Sequence, residues 1–122
     1  MVAAVFDTNI LIDHLKGFPH VTAEFARYHE GSISIISRIE VLAGSRPEDE
    51  SGTRAILDTF RIIPLDETIA ARAVHLRRTH RVKLPDAIIW ASARILGRLL
   101  VTRDAKNFPR NDLGIRIPYK LS

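Results

Sequence analysis

The sequence predicts an α/β fold: a parallel sheet of four to five strands with helices on both faces. Short apolar runs alternate with longer segments in which apolar residues recur at helical spacing, and this alternation continues along most of the 122 residues. Strands separated by helices form βαβ units, which are parallel and almost always right-handed. No repeat or linker-like stretch interrupts the pattern, so we expect residues 1–122 to form one domain.

The first half of the chain divides into two strands and four helical segments. Apolar side chains fill the strand candidates, whereas a residue such as Pro19 favours the first turn of a helix. A segment rich in Pro, Glu, Asp and Ser is typical of a solvated loop. In order, the predicted elements are a strand at Val2–Phe6, helices at Thr8–Lys16 and from Pro19 to near Gly31, a strand at Ser32–Ile36, a helix at Ser37–Ala43, a loop at Arg46–Ser51 and a helix ending at Phe60.

The second half continues the alternation with longer helices. Asp66 is a favourable N-cap for a helix that reaches His80. Pro85 begins another helix, which is apolar through Leu96 and ends at Gly97. The strands predicted around these helices are Arg61–Leu65, Leu99–Thr102 and a short Ile115–Ile117. With the last of these the sheet has five strands, and without it four.

Composition narrows the kinds of protein and of site. The chain has no cysteine, which excludes disulfides and cysteine-bound zinc and is consistent with a reducing cytoplasm. Its longest apolar run, Ala87–Ala93, is far shorter than the roughly 18 residues that a membrane-spanning helix needs. The N-terminus lacks the basic start of a signal peptide, so we expect a cytoplasmic protein with no membrane partner. The net charge of +4 fits either a polyanionic partner or an ordinary, mildly basic protein.

Four acidic residues fall where a parallel sheet binds ligands. Asp7 ends the first strand, Glu40 lies one turn into the helix after the second, and Asp104 follows the fourth. Asp86 lies in the first turn of the helix that Pro85 begins, and right-handed connections can bring it to the same edge. Ligands of such sheets bind beyond the carboxyl ends of the strands, at the switch in strand order. We therefore expect the four carboxylates to meet at one site.

Each acid also has a purely structural explanation. Asp7 can cap the helix that follows it, Asp86 can complement a helix dipole, and Asp104 can form an Asx turn. Ser37 and Glu40 match a capping box, in which the glutamate reaches back to the start of its own helix. These explanations suffice one position at a time, but four carboxylates at one edge would repel one another and raise their pKa values.

Divalent cations resolve that repulsion. Mg²⁺ and Mn²⁺ prefer oxygen ligands and commonly bind between carboxylates and substrate phosphates. A bound ion lowers the pKa of its water and neutralises charge on a phosphate under attack. The absence of cysteine and of paired histidine spacing argues against zinc. The scattered histidines are expected to be surface or core residues: His14, His20, His29, His75 and His80.

Four segments of the sequence carry recognisable motifs. They are Asp7–Asp13 (DTNILID), Ser37–Gly44 (SRIEVLAG), Leu84–Ala87 (LPDA) and Thr102–Asp104 with Asn107 and Phe108. Together, in order and spanning nearly the whole chain, they resemble the motifs of the PIN domain family. In length and motif style the chain is most similar to VapC toxins, the nuclease partners of toxin–antitoxin pairs. The first motif alone would be a weak signal, whereas four in family order are specific.

The resemblance implies a Rossmann-like sheet and an endoribonuclease that depends on Mg²⁺ or Mn²⁺. It also implies an RNA substrate, a homodimer and inhibition by a cognate antitoxin protein. Carried over by position, the acidic cluster that binds metal and catalyses cleavage is Asp7, Glu40, Asp86 and Asp104, with polar supports at Thr8, Asn9, Ser37 and Thr102. The later position of the fourth motif is Asn107 rather than an aspartate, which leaves four acids rather than five and disfavours strong binding of a second ion.

In the implied mechanism, one ion held by Asp7, Asp86 and Asp104 orients a water for in-line attack on phosphorus. Glu40 holds the metal-bound water or helps to deprotonate it. RNA lies over a basic rim, whose candidates are Arg38, Arg103, Lys106 and the run Arg77–Lys83. For this run an alternative stays open, because cations also suit the C-terminus of a helix.

Two other functions compete with this one. A haloacid-dehalogenase-type phosphatase also uses an aspartate after the first strand, but it needs a second aspartate two residues later, where this chain has Asn9. A catalytically inactive PIN-like module that binds RNA or an antitoxin would lack some of the acids, and all four are present. Metal-dependent cleavage of RNA separates the enzyme from the binding module.

Overall fold

The structure, a computed structural model, describes residues 3–109 and 111–120, so Val2, the predicted start of the first strand, lies outside the described residues. The strands within these residues are β1 Ala3–Phe6, β2 Glu30–Ser34, β3 Arg61–Ile63, β4 Leu99–Val101 and β5 Ile115–Arg116. The α-helices are α1 Thr8–Leu15, α2 Pro19–Phe25, α3 Ile35–Gly44, α4 Glu50–Leu57, α5 Glu67–His80 and α6 Leu84–Ile95. A turn of 3₁₀ helix, Pro47–Asp49, precedes α4.

The strands form one parallel sheet in the order β3-β2-β1-β4-β5. β1 pairs with β2 in the register Ala4↔Gly31 and with β4 in the register Val5↔Leu100. The chain runs outward from β1 to β3 and then returns to the other side of β1 with β4. The strand order therefore reverses between β1 and β4, where a parallel sheet has a crevice beyond the carboxyl ends of its strands.

Side chains along β1 alternate between the two faces of the sheet, and each face is buried under its own helices. Val5 packs in one apolar cluster with Leu100 and with Trp90 of α6. Phe6 packs in a second cluster with Ile10 of α1. Helices on both faces confirm the predicted fold class, and the sheet has the larger of the two predicted strand numbers.

The region between α2 and α3 differs most from the prediction. α2 ends well before Gly31, because Gly31 lies in β2 and pairs with β1. A Cβ at this position would lie 2.7 Å from the Phe6 ring, so the glycine permits a close approach within the sheet rather than ending a helix. β2 consequently covers Glu30–Ser34, two residues earlier than predicted, and α3 begins at Ile35 rather than at Ser37.

The other helix and strand boundaries differ from the predicted ones by a few residues. α4 begins at Glu50, inside the predicted loop, and ends at Leu57 rather than at Phe60. The second half matches more closely: Asp66 caps α5 by accepting a hydrogen bond from the Ile69 amide at 2.8 Å. In the part of the chain that the structure describes, no helix is both long and apolar enough to cross a membrane.

Candidate active site

Asp7 directly follows β1 and caps α1. Its backbone amide donates to the Val101 carbonyl at 2.9 Å, which places it beside the end of β4. Its Oδ1 accepts from the Thr8 amide at 2.7 Å, while Oδ2 accepts from the Thr102 hydroxyl at 2.7 Å and from the Asn9 side-chain amide at 3.4 Å. Asp7 is therefore a cap, as one interpretation predicted, and it also contacts three of the predicted polar supports.

Burial has the largest effect on the pKa of the Asp7 carboxyl. The residue is 4% exposed, and burial raises the pKa of its carboxyl to about 6, with smaller contributions in the same direction from the charges of Asp86 and Asp104. Hydrogen bonds from Thr102 and Thr8 lower this pKa without offsetting the burial. A cation beside Asp7 would favour its ionised form, because an opposite charge stabilises a carboxylate.

Asp86 lies partly exposed in the first turn of α6. Burial raises the pKa of its carboxyl, and the charges of Asp104 and Glu40 raise it further, whereas Lys83 lowers it. These charges come from elements that are far apart in the sequence. The structure therefore brings the four predicted acids to the same edge of the sheet, as their positions after strands and at the start of α6 indicated.

Glu40 contacts the start of α1 through Thr8. The Thr8 hydroxyl donates to Glu40 Oε1 at 2.8 Å and lies 3.0 Å from the buried Ser37 hydroxyl. The capping-box interpretation of Ser37 and Glu40 is wrong, because Ser34 caps α3 by accepting from the Ile36 amide at 3.1 Å. Since α3 starts directly at the end of β2, Glu40 lies in its interior and its carboxylate turns to α1 instead.

Asp104 belongs to a tight turn after β4. Its amide donates to the Thr102 hydroxyl at 3.0 Å, and its Oδ1 accepts from the amides of Lys106 at 3.1 Å and Asn107 at 3.2 Å. The Asn107 side chain also donates to Asp104 Oδ2. The predicted Asx turn is therefore present, and Asn107 acts beside Asp104 as a hydrogen-bond donor.

The four acids differ from other acids of the chain in their ionic partners. Within residues 3–109 and 111–120, no lysine, arginine or histidine nitrogen forms an ion pair with them at 4.0 Å or less. Two other buried acids are paired: Asp13 lies 2.8 Å from Arg103, and Glu24 lies 2.7 Å from Arg116. The chain thus pairs these two buried acids with arginine, whereas the acids at the carboxyl edge form no such ion pair with the residues that the structure describes.

The donor set at this edge suits a hydrated divalent cation. The described residues include no group of three or more acidic or histidine side chains arranged to hold a metal ion directly. Mg²⁺ nevertheless keeps several waters in proteins, and it commonly binds through one or two carboxylates together with substrate phosphates. Carboxylates that form no ion pair with the described residues therefore suit a partly hydrated Mg²⁺ or Mn²⁺ better than they suit an ion coordinated entirely by side chains.

Two of the residues predicted to contact RNA have other partners. Arg38 lies 2.6 Å from Asp58, and Arg103 forms two hydrogen bonds with Asp13, so both guanidinium groups are already engaged in ion pairs. Arg77 donates to a backbone carbonyl just beyond the end of α5. The exposed cations that remain from the predicted set include Arg78, Arg81, Lys83 and Lys106.

Three of the histidines pack against aromatic side chains in structural surroundings. His14 packs against the Phe25 ring, and burial lowers its pKa. His20 packs against Tyr119, and His80 packs against Trp90. These contacts agree with the prediction that the histidines are surface or core residues.

The sequence interpretation assigned no role to Asp13 or Tyr119. Asp13 is 1% exposed, and it accepts hydrogen bonds from Arg103 and from the Tyr119 hydroxyl. A signal for this contact was available. Asp13 lies three residues after the buried Ile10 on the apolar face of α1, and a charge on such a face needs a buried partner.

Comparison with known proteins agrees with this geometry. A family model described as the PIN domain matches residues 4–113. Ribonuclease VapC10 of Mycobacterium tuberculosis is 31% identical over 111 residues, which cover 84% of each chain. A toxin–antitoxin complex from Klebsiella pneumoniae contains a chain of the same fold, with a TM-score of 0.91 and 39% identity over 97% of this chain and 99% of that one. The chain of FitAcB from Neisseria gonorrhoeae gives a TM-score of 0.77 and 25% identity over 97% and 99% of the two chains. The chain therefore belongs to the PIN domain family.

Proposed function

We propose that this chain is a Mg²⁺-dependent endoribonuclease, also able to use Mn²⁺, that hydrolyses RNA phosphodiester bonds as the toxin of a toxin–antitoxin pair. The observation that carries the proposal is the charge balance of the site. Four carboxylates meet at the switch point of a PIN-domain sheet, with raised pKa values at Asp7 and Asp86 and no ion-pair partner among the described residues. A divalent cation would supply the missing positive charge, and RNA would supply the phosphate beside it.

In this proposal the aspartates bind the ion. Asp7 is held from two sides by Thr8 and Thr102, so its carboxylate has one fixed orientation. Asp86 and Asp104 come from α6 and from the turn after β4, and each repels the other in the absence of a cation. A bound ion supplies Lewis acidity at the phosphate and lowers the pKa of a bound water.

Glu40 orients the attacking water and accepts its proton. Thr8 links this glutamate to the metal-binding aspartate, because its amide donates to Asp7 while its hydroxyl donates to Glu40 Oε1. The glutamate is exposed at the rim, and its second oxygen is left for a water. A general base must reach the proton that it removes within hydrogen-bond distance, and the Thr8 contact fixes where that base stands.

RNA lies over the exposed cations next to the acids. Lys83 is close enough to Asp86 to lower its pKa, and Lys106 follows Asp104 by two residues. Such side chains contact phosphates and position the strand without reading its sequence. The cut in the RNA would then fall where the strand passes the four acids.

The toxin role and the partners rest on the relatives. The curated relative from Mycobacterium tuberculosis is named a ribonuclease, and the Klebsiella pneumoniae structure is a toxin–antitoxin complex. By this likeness we propose that the chain acts in the cytoplasm, forms a homodimer and is inhibited by a cognate antitoxin protein. Expression of the chain alone should arrest growth, and co-expression with its antitoxin should restore it. Harmless expression of a folded, active nuclease would reject the toxin role and leave the nuclease standing.

The competing proposal is an inactive PIN-like module that binds RNA or an antitoxin. The two differ in one assay, in which purified protein is incubated with total RNA and Mg²⁺ or Mn²⁺, with and without chelator, and new RNA ends are mapped. The enzyme proposal expects discrete new ends that disappear with chelator. Cleavage that survives exhaustive chelation would reject the metal-dependent mechanism, and binding without cleavage would favour the inactive module.

A further inference from the structure

Arg103 is bound to α1 at both its side chain and its backbone. Its Nε donates to Asp13 Oδ2 at 2.8 Å and its second guanidinium nitrogen donates to Oδ1 at 3.2 Å, which is a bidentate pair. The Tyr119 hydroxyl donates to the same Asp13 Oδ2 at 2.8 Å. The Arg103 backbone amide donates to Asn9 Oδ1 at 3.1 Å. Bidentate arginine–carboxylate pairs fix orientation as well as distance, so residue 103 has little freedom.

The next residue in the chain is Asp104. The turn that carries it, residues 104–107, is exposed or half-exposed, and the next buried side chain after it is Phe108. Packing therefore does little to place the Asp104 carboxylate. The hydrogen bonds of the turn orient the carboxylate within it. The residues before the turn anchor it to the fold, because Thr102 is bonded to Asp7 and Arg103 is bonded to α1.

We propose that Arg103, paired with Asp13 and completed by the Tyr119 hydroxyl, is a positioning residue that holds the Asp104 carboxylate at the rim beside Asp7. Asp13 is 1% exposed in α1, so the pair is anchored behind the rim, and the Arg103 side chain, 31% exposed, directs two of its donors to Asp13. Its effect passes through one peptide bond to Asp104. This inference rests on the proposed function, which makes Asp104 a metal-binding residue.

A second cluster of the same chemistry provides a matched control. Glu24 is 4% exposed and accepts two hydrogen bonds from Arg116, at 2.7 and 3.0 Å, and one from the Tyr28 hydroxyl at 2.5 Å. Arg116 lies in β5, where its backbone carbonyl accepts from the Thr102 amide at 3.0 Å, but its side chain donates to Glu24 and not to a rim acid. A side-chain substitution leaves the backbone contact in place. A loss of stability alone would affect both clusters alike, whereas a loss of positioning would affect only the cluster that contains Arg103.

The test compares Arg103→Lys with Arg116→Lys, and the milder Tyr119→Phe with Tyr28→Phe. Lysine keeps the charge but cannot form the bidentate pair. We expect similar falls in melting temperature within each pair of variants. Only Arg103→Lys should also weaken Mn²⁺ binding, measured by calorimetry, and lower kcat on RNA, each by about 10- to 100-fold, the range typical of residues that orient metal ligands. Its KM should change by less than about threefold, since lysine keeps the positive charge at this position.

A readout that needs neither metal nor activity separates this inference from the proposed function. The amides of Lys106 and Asn107 donate to Asp104 Oδ1, and their hydrogen exchange reports whether the turn is held in place. Hydrogen exchange at these amides should be at least about tenfold faster in Arg103→Lys than in Arg116→Lys. If Arg103→Lys does not fold, Tyr119→Phe replaces it and should change the exchange in the same direction. Equal exchange in the two arginine variants would overturn the positioning role. A wild-type protein that binds no Mn²⁺ would overturn the proposed function instead.

Discussion

The acids at the two edges of the sheet have pKa values shifted in opposite directions. At the amino ends of the strands, Glu30 contacts Arg98 at 2.8 Å and Arg61 at 3.3 Å, and hydrogen bonds from these arginines lower the pKa of its carboxyl. At the carboxyl ends, burial and neighbouring carboxylates raise the pKa values of Asp7 and Asp86. The sheet itself is common to both edges. The side chains placed beside the acids therefore create the difference.

This contrast distinguishes acids whose charge is stabilised within the folded protein from acids whose charge would be stabilised by a bound cation. An acid that the chain pairs with arginine has its charge stabilised within the folded protein and needs nothing else. An acid with a raised pKa has a charge that the fold makes unfavourable, and such groups concentrate at functional sites. Pairing with arginine distinguishes these acids more sharply than burial does, because Asp13 and Glu24 are as buried as Asp7 but are paired.

The largest difference between the edges is expected when one acid at each edge is neutralised in a separate variant. Asp7→Asn should lower the rate of RNA cleavage by at least about 1,000-fold, a loss on the scale of removing a key electrostatic contact to the transition state. Glu30→Gln should change the rate by less than about twofold, although it breaks two ion pairs. Initial rates with saturating Mg²⁺ measure both. Comparable losses in the two variants would mean that the edges do not differ in function.

Neutralising Glu40 should have the next largest effect. Glu40→Gln keeps an oxygen to accept from the Thr8 hydroxyl but loses the base, so cleavage should fall by about 100-fold. The capping box is absent, so the melting temperature should not depend on a cap at this residue. An equally active Gln variant would show that Glu40 takes no part in proton transfer.

A smaller effect is expected on stability as the pH changes. The pKa of Asp7 is about 6 in the folded protein and 3.8 in the absence of perturbation, so the folded state holds its proton more tightly. Stability from this group is fully present below about pH 4 and is lost as pH rises through 6, by at most about 3 kcal/mol. Urea unfolding of the metal-free protein between pH 4 and 7 should show this decline in the wild type and a weaker one in Asp7→Asn. Parallel pH profiles would contradict the raised pKa.

The sequence was sufficient to predict the fold class and the meeting of the acids. Both depend on local patterns, because apolar periodicity identifies elements and the ends of parallel strands share an edge. The Asx turn at Asp104 and the cap at Asp66 also follow from local hydrogen bonding. The four catalytic assignments and the single domain stay predictions, since position alone does not test a role.

What failed depended on contacts between distant residues. Gly31 has the sequence character of a helix end, but it lies in β2, where a Cβ would collide with the Phe6 ring. Ser37 and Glu40 satisfy the spacing of a capping box, yet Ser34 takes the cap because β2 ends there. Arg103 was a candidate RNA contact, and its pairing with Asp13, 90 residues away, was not predicted. Phe6 and Asp13 are distant in sequence from Gly31 and Arg103, and the end of β2 is set by its pairing with β1 and β3, so spacing could not reveal these contacts.

Binding of Mn²⁺ to the metal-free protein tests the central claim most directly, because it requires neither the right RNA nor an antitoxin. Free Mn²⁺ can be measured by electron paramagnetic resonance in titrations of the wild type, Asp7→Asn and Glu30→Gln at pH 7.5. We expect saturable binding of about one ion by the wild type and by Glu30→Gln, and binding at least about tenfold weaker by Asp7→Asn. Equal binding by Asp7→Asn and the wild type, or no binding by a wild type that still cleaves RNA, would contradict the claim that the acids at the carboxyl edge form a divalent-cation site.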